Sequence, residues 1–165
     1  METALKKKLK KIKLFLTDVD GVLTDGSLYY TNDGLVMKKF QVKDGMGTRL
    51  LRDAGIKTGL ISTDTSEFMK LRGERLKMDF VEIGSWDKDK IMFEICEKLS
   101  IKPENVGFIG DDINDLEILK KVGFSACPND AVEKIKKVSD YVCTNKGGEG
   151  AYREVADLIL KYKKD

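Results

Sequence analysis

The sequence predicts an α/β protein built on a Rossmann-like, doubly wound parallel sheet. Three observations carry this. Apolar, β-rich segments near 12–18, 57–62, 79–83, 105–109, 122–126 and 140–143 alternate with helical patterns near 46–54, 66–77, 88–99, 114–121, 129–138 and 150–163. Such alternation over short connections gives a parallel sheet covered by helices on both faces. Several of the strand segments end in polar or acidic residues, where sheets of this kind bind ligands. A length of 165 residues with 41% hydrophobic content supplies one well-packed core and not two, so a single domain over 1–165 is expected.

The chain opens with Lys6, Lys7, Lys8, Lys10, Lys11 and Lys13. The segment from Met1 to Lys13 lacks an apolar core with a small-residue cleavage site, so a secretory leader is not expected. It reads as a solvated approach to the first strand, with a polyanion contact as the alternative. The run Ile12 to Leu16 reads as a buried strand. It ends in Asp18 and Asp20, which at i and i+2 point to one side. Gly21 then allows a sharp turn close to a ligand.

Ser27 to Val42 breaks the alternation. Leu28-Tyr29-Tyr30, the turn Thr31-Asn32-Asp33-Gly34 and the run Leu35 to Phe40 read as a β-hairpin. It either projects beside the aspartate pair as a flap or extends the sheet. The second strand ends in Ser62 and Thr63. The third leads through Gly84-Ser85-Trp86 to Asp87-Lys88-Asp89-Lys90, and the fourth ends in Gly110-Asp111-Asp112-Ile113-Asn114-Asp115. Pro103 and Gly123 punctuate the later boundaries, and Pro128 precedes a capping-type Asn129.

Absences narrow the chemistry. The chain has no histidine, which removes Ser-His-Asp and Cys-His catalysis, H-E-x-x-H zinc sites and 2-His-1-carboxylate iron sites. A metal here takes oxygen ligands, and Mg²⁺ fits. The 30 basic and 28 acidic residues are interspersed, unlike the one-signed face of a nucleic-acid binder. No apolar stretch approaches the roughly 20 residues that span a bilayer, and a cytoplasmic protein is expected. Cys96, Cys127 and Cys143 form no C-x-x-C pair and read as reduced, partly buried thiols.

Carboxylates gathered at strand ends are costly unless a cation offsets them. A carboxylate pair before a tight loop suits metal-assisted phosphoryl transfer, one group acting as nucleophile and the other as acid and base.

The motifs D-x-D-G-V-x-T from Asp18, the apolar run into Ser62, a lysine opening a helix and G-D-D-x-x-D from Gly110 resemble the haloacid-dehalogenase-like phosphatases in order and spacing. The resemblance implies that Asp18 becomes an aspartyl phosphate and that Asp20 protonates the leaving alkoxide, then deprotonates the hydrolytic water. It implies Mg²⁺ on the Asp18 carboxylate, the Asp20 carbonyl and Asp111, with Asp112 or Asp115 reached through water. Ser62 and a lysine would bind the phosphoryl oxygens. Asp87-Lys88 matches the family's D-K, whereas Lys90 fits a solvated face. Asp115 has a second reading, orienting that lysine.

About 40 residues separate Asp20 from Ser62 and about 25 separate Ser62 from Lys88, which leaves no room for a cap domain. The capless group that the chain resembles is the 3-deoxy-D-manno-octulosonate 8-phosphate (KDO 8-phosphate) phosphatase family. The likeness runs through Asp18 to Gly26 (D-V-D-G-V-L-T-D-G), Phe40 to Gly45 (F-Q-V-K-D-G) and Gly147 to Val155 (G-G-E-G-A-Y-R-E-V). It implies a homotetramer whose hairpins form a barrel, with neighbouring subunits completing the active sites, and a small sugar-phosphate substrate touched by Ser62, Thr63, Lys88 and Arg72. Arg72 reads alternatively as a solvent-facing helical residue and Arg153 as the partner of an acid on its own helix. Gly147, Gly148 and Gly150 form either a loop or a tail closing on substrate.

One departure stands out. The family continues the second motif as I-S-G-R; this chain reads Ile61-Ser62-Thr63-Asp64-Thr65-Ser66, with an acid in place of the arginine. Related phosphatases of KDN 9-phosphate or N-acetylneuraminate 9-phosphate carry an acid near this turn, and Arg72 to Asp79 resembles theirs too. Asp64 would then bind a sugar hydroxyl or amine. Outside these, a catalytically idle oligomerisation domain and a phosphotransferase or phosphomutase are the rival readings.

Overall fold

A computed structural model describes residues 2–163. In chain order the elements are α1 (Glu2–Lys10), β1 (Leu14–Thr17), β2 (Tyr29–Thr31), β3 (Gly34–Met37), α2 (Val42–Asp53), β4 (Lys57–Ile61), α3 (Glu67–Arg75), β5 (Phe80–Glu82), α4 (Lys88–Leu99), β6 (Val106–Ile109), α5 (Leu116–Lys121), β7 (Phe124–Cys127), α6 (Glu133–Lys136), β8 (Tyr141–Val142) and α7 (Ala151–Lys163). Six strands form one parallel sheet in the order β5-β4-β1-β6-β7-β8. The chain leaves β1 toward β4 and β5, then returns to β6 on the other side. The order therefore reverses between β1 and β6, where such sheets open a crevice at the carboxyl ends of their strands.

β1 is buried on both faces, as a central parallel strand must be. Its side chains divide with period two. Phe15 joins Leu9, Leu51, Tyr152 and Ile159 on one face, while Leu14 and Leu16 join Met92, Phe108, Ile118 and Ile135 on the other. The Phe15 and Tyr152 rings stack with centroids 5.0 Å apart, tying β1 to α7.

The hairpin β2–β3 forms its own two-stranded antiparallel sheet and does not extend the main one. Leu28, Tyr29, Tyr30, Val36 and Met37 on it are exposed. An isolated antiparallel bridge between Thr24 and Phe40 joins its base to the body. Only the hairpin and α2 lie between β1 and β4, and only α3 between β4 and β5, so no cap domain is inserted.

Three boundaries depart from the sequence reading. The lysine-rich start leads into β1 with Lys7, Lys8, Lys10, Lys11 and Lys13 exposed, as expected, but it is a helix with a docked apolar face: Leu9 and Ile12 are fully buried, and Leu5 packs against them, at i, i+4 and i+7. Lys8 pairs with Asp140 at 2.6 Å and Lys6 lies over the Tyr162 ring. α2 starts four residues before the expected 46, with Gln41 as its N-cap. The helix expected over 129–138 shrinks to α6, because Asn129 and Asp130 bond the 144–147 backbone instead. All three cysteines are free and buried. Among the described residues no helix is long and apolar enough to cross a membrane.

Candidate active site

The crevice is built from strand ends. The Asp18 N–H donates to the Ile109 carbonyl at 3.0 Å, carrying the β1–β6 ladder one step further. The chain then folds back tightly, and the Val19 carbonyl accepts from the N–H groups of Val22, Leu23 and Thr24. Gly21 sits in this turn with φ +84°, and a Cβ there would overlap the Asp111 carboxylate. Glycine is thus required twice over, for backbone conformation and for close approach.

Asp18, Asp111 and Asp115 bring carboxylate oxygens within 4.8 Å of one another. Lys88, the first residue of α4, is buried with its Nζ 2.9 Å from Asp18 Oδ1 and 2.6 Å from Asp115 Oδ1. Asp115 Oδ2 accepts the Asp111 N–H at 2.9 Å. Asp115 therefore orients Lys88 and the Asp111 backbone, the milder of its two readings. Burial works against the Lys88 charge, yet Asp18 and Asp115 hold its pKa above the ordinary lysine value. Burial, with Asp18, Asp115 and Asp112 adding repulsion, drives the Asp111 carboxyl upward. Among the described residues no salt bridge reaches Asp111.

Asp18, Asp20, Gly21, Ser62, Thr63, Asp111, Asp112 and Asn114 line a cavity of about 250 Å³. Ser62 is buried at the end of β4, its N–H on the Glu82 carbonyl. Asp112 caps the turn that follows, accepting the Ile113 N–H. The remaining predicted residues lie elsewhere. Lys90 is exposed and paired with Asp87. Arg72 does not line the cavity: its Nη2 donates to the Gln41 carbonyl at 3.1 Å and its guanidinium covers the Phe40 ring. Arg153 pairs with Asp157 one turn along α7. Gly147 and Gly148 pack on the turn after Asp20, where a Cβ on either would overlap backbone from Gly21 to Asp25. The Gly148 N–H donates to the Val22 carbonyl at 2.9 Å, so these glycines form a packed loop.

Motif reading did not single out Lys38. It lies one residue beyond β3 with its side chain fully buried, 2.7 Å from Asp20 Oδ2 and 2.5 Å from Asp64 Oδ2. Burial pulls its pKa down, and the two carboxylates more than offset this and raise it. For Asp64, burial pushes upward but Lys38 and the Ser66 N–H hold the carboxyl below its ordinary value. The acid that replaces the family's arginine is thus paired. The only sequence hint was a Lys38-Lys39 pair at the hairpin foot, with no spacing to set it apart.

Across the crevice six carboxylates (Asp18, Asp20, Asp64, Asp111, Asp112, Asp115) face two ammonium groups (Lys38, Lys88). The donors are all oxygen, and among the described residues Asp111 has no cationic side chain paired with it. This set fits a hard divalent cation.

The family model for haloacid dehalogenase-like hydrolases matches residues 52–155. The 3-deoxy-D-manno-octulosonate 8-phosphate phosphatase of Haemophilus influenzae is 36% identical over 157 residues, covering 95% of this chain and 87% of that protein. Its Escherichia coli K12 counterpart is 38% identical over 153 residues, covering 93% and 81%. The enzyme of that name from Moraxella catarrhalis, solved with a magnesium ion, a phosphate ion and a KDO molecule, superposes with a TM-score of 0.96 at 36% identity, covering 99% of this chain and 94% of that one.

Proposed function

The chain belongs to the haloacid dehalogenase-like hydrolases, in their capless KDO 8-phosphate phosphatase family, and on that premise we propose that this phosphomonoester hydrolase cleaves KDO 8-phosphate with Mg²⁺ through an aspartyl phosphate. The observation that carries the reading is the convergence of Asp18, Asp111, Lys88 and Ser62 at one crevice, with too few cations for its carboxylates.

The Asp18 carboxylate attacks phosphorus in line as the bond to the sugar oxygen breaks. Asp20 gives that oxygen a proton, then takes one from the water that releases phosphate from Asp18. Ser62 and Lys88 hold the phosphoryl oxygens, and Asp115 keeps Lys88 in place; Thr63 and Asp64 border the substrate. Charge stabilisation and positioning of this kind dominate phosphoryl transfer. The carboxylates of Asp18 and Asp111 and the Asp20 carbonyl would hold Mg²⁺, backed by Asp112 and Asp115, and the ion supplies positive charge to the phosphate. Arg72, outside the cavity of its own chain, would serve substrate only in an assembly that brings copies together.

Asp64 supports a second reading, a nine-carbon ulosonate 9-phosphate as substrate. The Lys38 ion pair removes the objection to an eight-carbon substrate, because a charge-paired acid repels the substrate carboxylate less. Intact acid, base and lysine residues argue against an idle domain. Phosphate release from KDO 8-phosphate, KDN 9-phosphate and N-acetylneuraminate 9-phosphate, with and without Mg²⁺, tests all three. The highest kcat/KM is expected on KDO 8-phosphate; a preference for either nine-carbon ester would reassign the substrate, and no turnover of any would sink the enzyme reading.

A further inference from the structure

Lys38 is the one hairpin-borne charge drawn wholly into the body of the protein. Its neighbours Met37 and Lys39 are exposed. Its ammonium holds Asp20 Oδ2, while Asp20 Oδ1 accepts the Thr24 hydroxyl at 3.2 Å. Thr24 is itself fixed, accepting the Gly21 N–H at 3.3 Å and the Gly26 N–H at 3.2 Å. On the far side Asp64 is anchored: its Oδ1 accepts the Ser66 N–H at 2.7 Å, and its own N–H donates to Ser62 Oγ at 3.1 Å. The result is a bracket of charge-assisted bonds, short and directional, spanning the hairpin foot, the β1 turn and the β4 turn.

Each Asp20 oxygen keeps a second lone pair, free to carry the proton that is given to the substrate's bridging oxygen or to accept from a water. What the bracket removes is rotation of the carboxylate toward the Asp18–Asp111 cluster, where Asp20 would add to the crowd of anions and be out of reach of the leaving group. Proton transfer tolerates little misplacement. We propose that Lys38 is a positioning residue that holds the Asp20 carboxylate in register with the substrate's bridging oxygen, with Asp64 as its counter-anchor. The proposal rests on the phosphatase reading and adds to it the residue that makes hairpin seating and acid placement one event.

The test uses leaving-group dependence. An alkyl phosphate needs a proton on its departing oxygen, whereas p-nitrophenyl phosphate does not, and kcat/KM reports this first transfer alone. Lys38→Met is expected to lower kcat/KM on the alkyl ester by about 100-fold, the scale of acid catalysis, and on the aryl ester by less than about tenfold. Lys38→Arg should restore part of the alkyl rate, and Asp64→Asn should shift the ratio the same way by less. The ratio of the two rates is unaffected by the folded fraction of a variant. Equal losses on both esters, or no loss on the alkyl ester, would overturn the proposal while leaving the phosphatase intact. A wild-type protein inactive on both esters with Mg²⁺ would remove the phosphatase reading, and the proposal with it.

Discussion

Asp18 and Asp20 are two residues apart yet held by different lysines: Lys88 from α4 on the first, Lys38 from the hairpin on the second. That separation lets neighbouring carboxylates take different roles. Asp18→Asn is expected to lower kcat by about 1,000-fold or more in a protein that still folds, as loss of a nucleophile does; near-normal turnover would reassign it. Asp44 offers a test independent of catalysis. It is fully buried, one oxygen bonded to the Arg153 N–H at 3.0 Å and the other without a partner. Burial, only partly opposed by that N–H and by the Arg72 and Arg153 charges, lifts its pKa from 3.8 to about 6. The folded state then binds the proton more tightly than the unfolded one, so stability is present at low pH and falls as pH rises from about 4 to about 6. Urea unfolding across that range should show this decline, and Asp44→Asn should flatten it.

At the level of elements, α1 and the hairpin both surprise, for opposite reasons. Leu9 sits under a shell of lysines, and Leu9→Ala should cost about 2–5 kcal/mol, the usual range for emptying a buried leucine site; a change below about 0.5 kcal/mol in urea unfolding would mean that α1 is dispensable. Its apolar spacing was present in the sequence, but six lysines in eight positions dominated the pattern. The six sheet strands and their acidic or hydroxyl ends were legible, because a central strand must be continuously apolar and its polar end stands out. Gly45 and Gly47 hid the start of α2, since glycine weakens any local helical signal. Lys38 was not legible for a different reason. Its meaning depends on the hairpin folding back over the β1 turn, and no local spacing encodes that return.

For the molecule as a whole, two measurements follow from surfaces and charge. Leu28, Tyr29, Tyr30, Val36 and Met37 leave the hairpin coated with apolar side chains that nothing in one chain covers. The expected assembly is a homotetramer, and sedimentation should show dissociation for a Tyr30→Glu, Val36→Glu variant; a fully active monomeric wild type would end the idea of shared sites. Mg²⁺ should raise the melting temperature and chelation lower it, with about 2.7 kcal/mol gained at a hundredfold excess over Kd. An Asp111→Asn variant should lose that response.

The loop at Gly147 and Gly148 has a consequence for synthesis. The turn that carries Asp20 is complete early in translation, yet the backbone it packs against is made more than 120 residues later. A ribosome-bound chain lacking that loop has one side of its acidic turn uncovered, so nascent and truncated products should be silent as enzymes. Activity should begin only when the distal glycines emerge from the exit tunnel and dock.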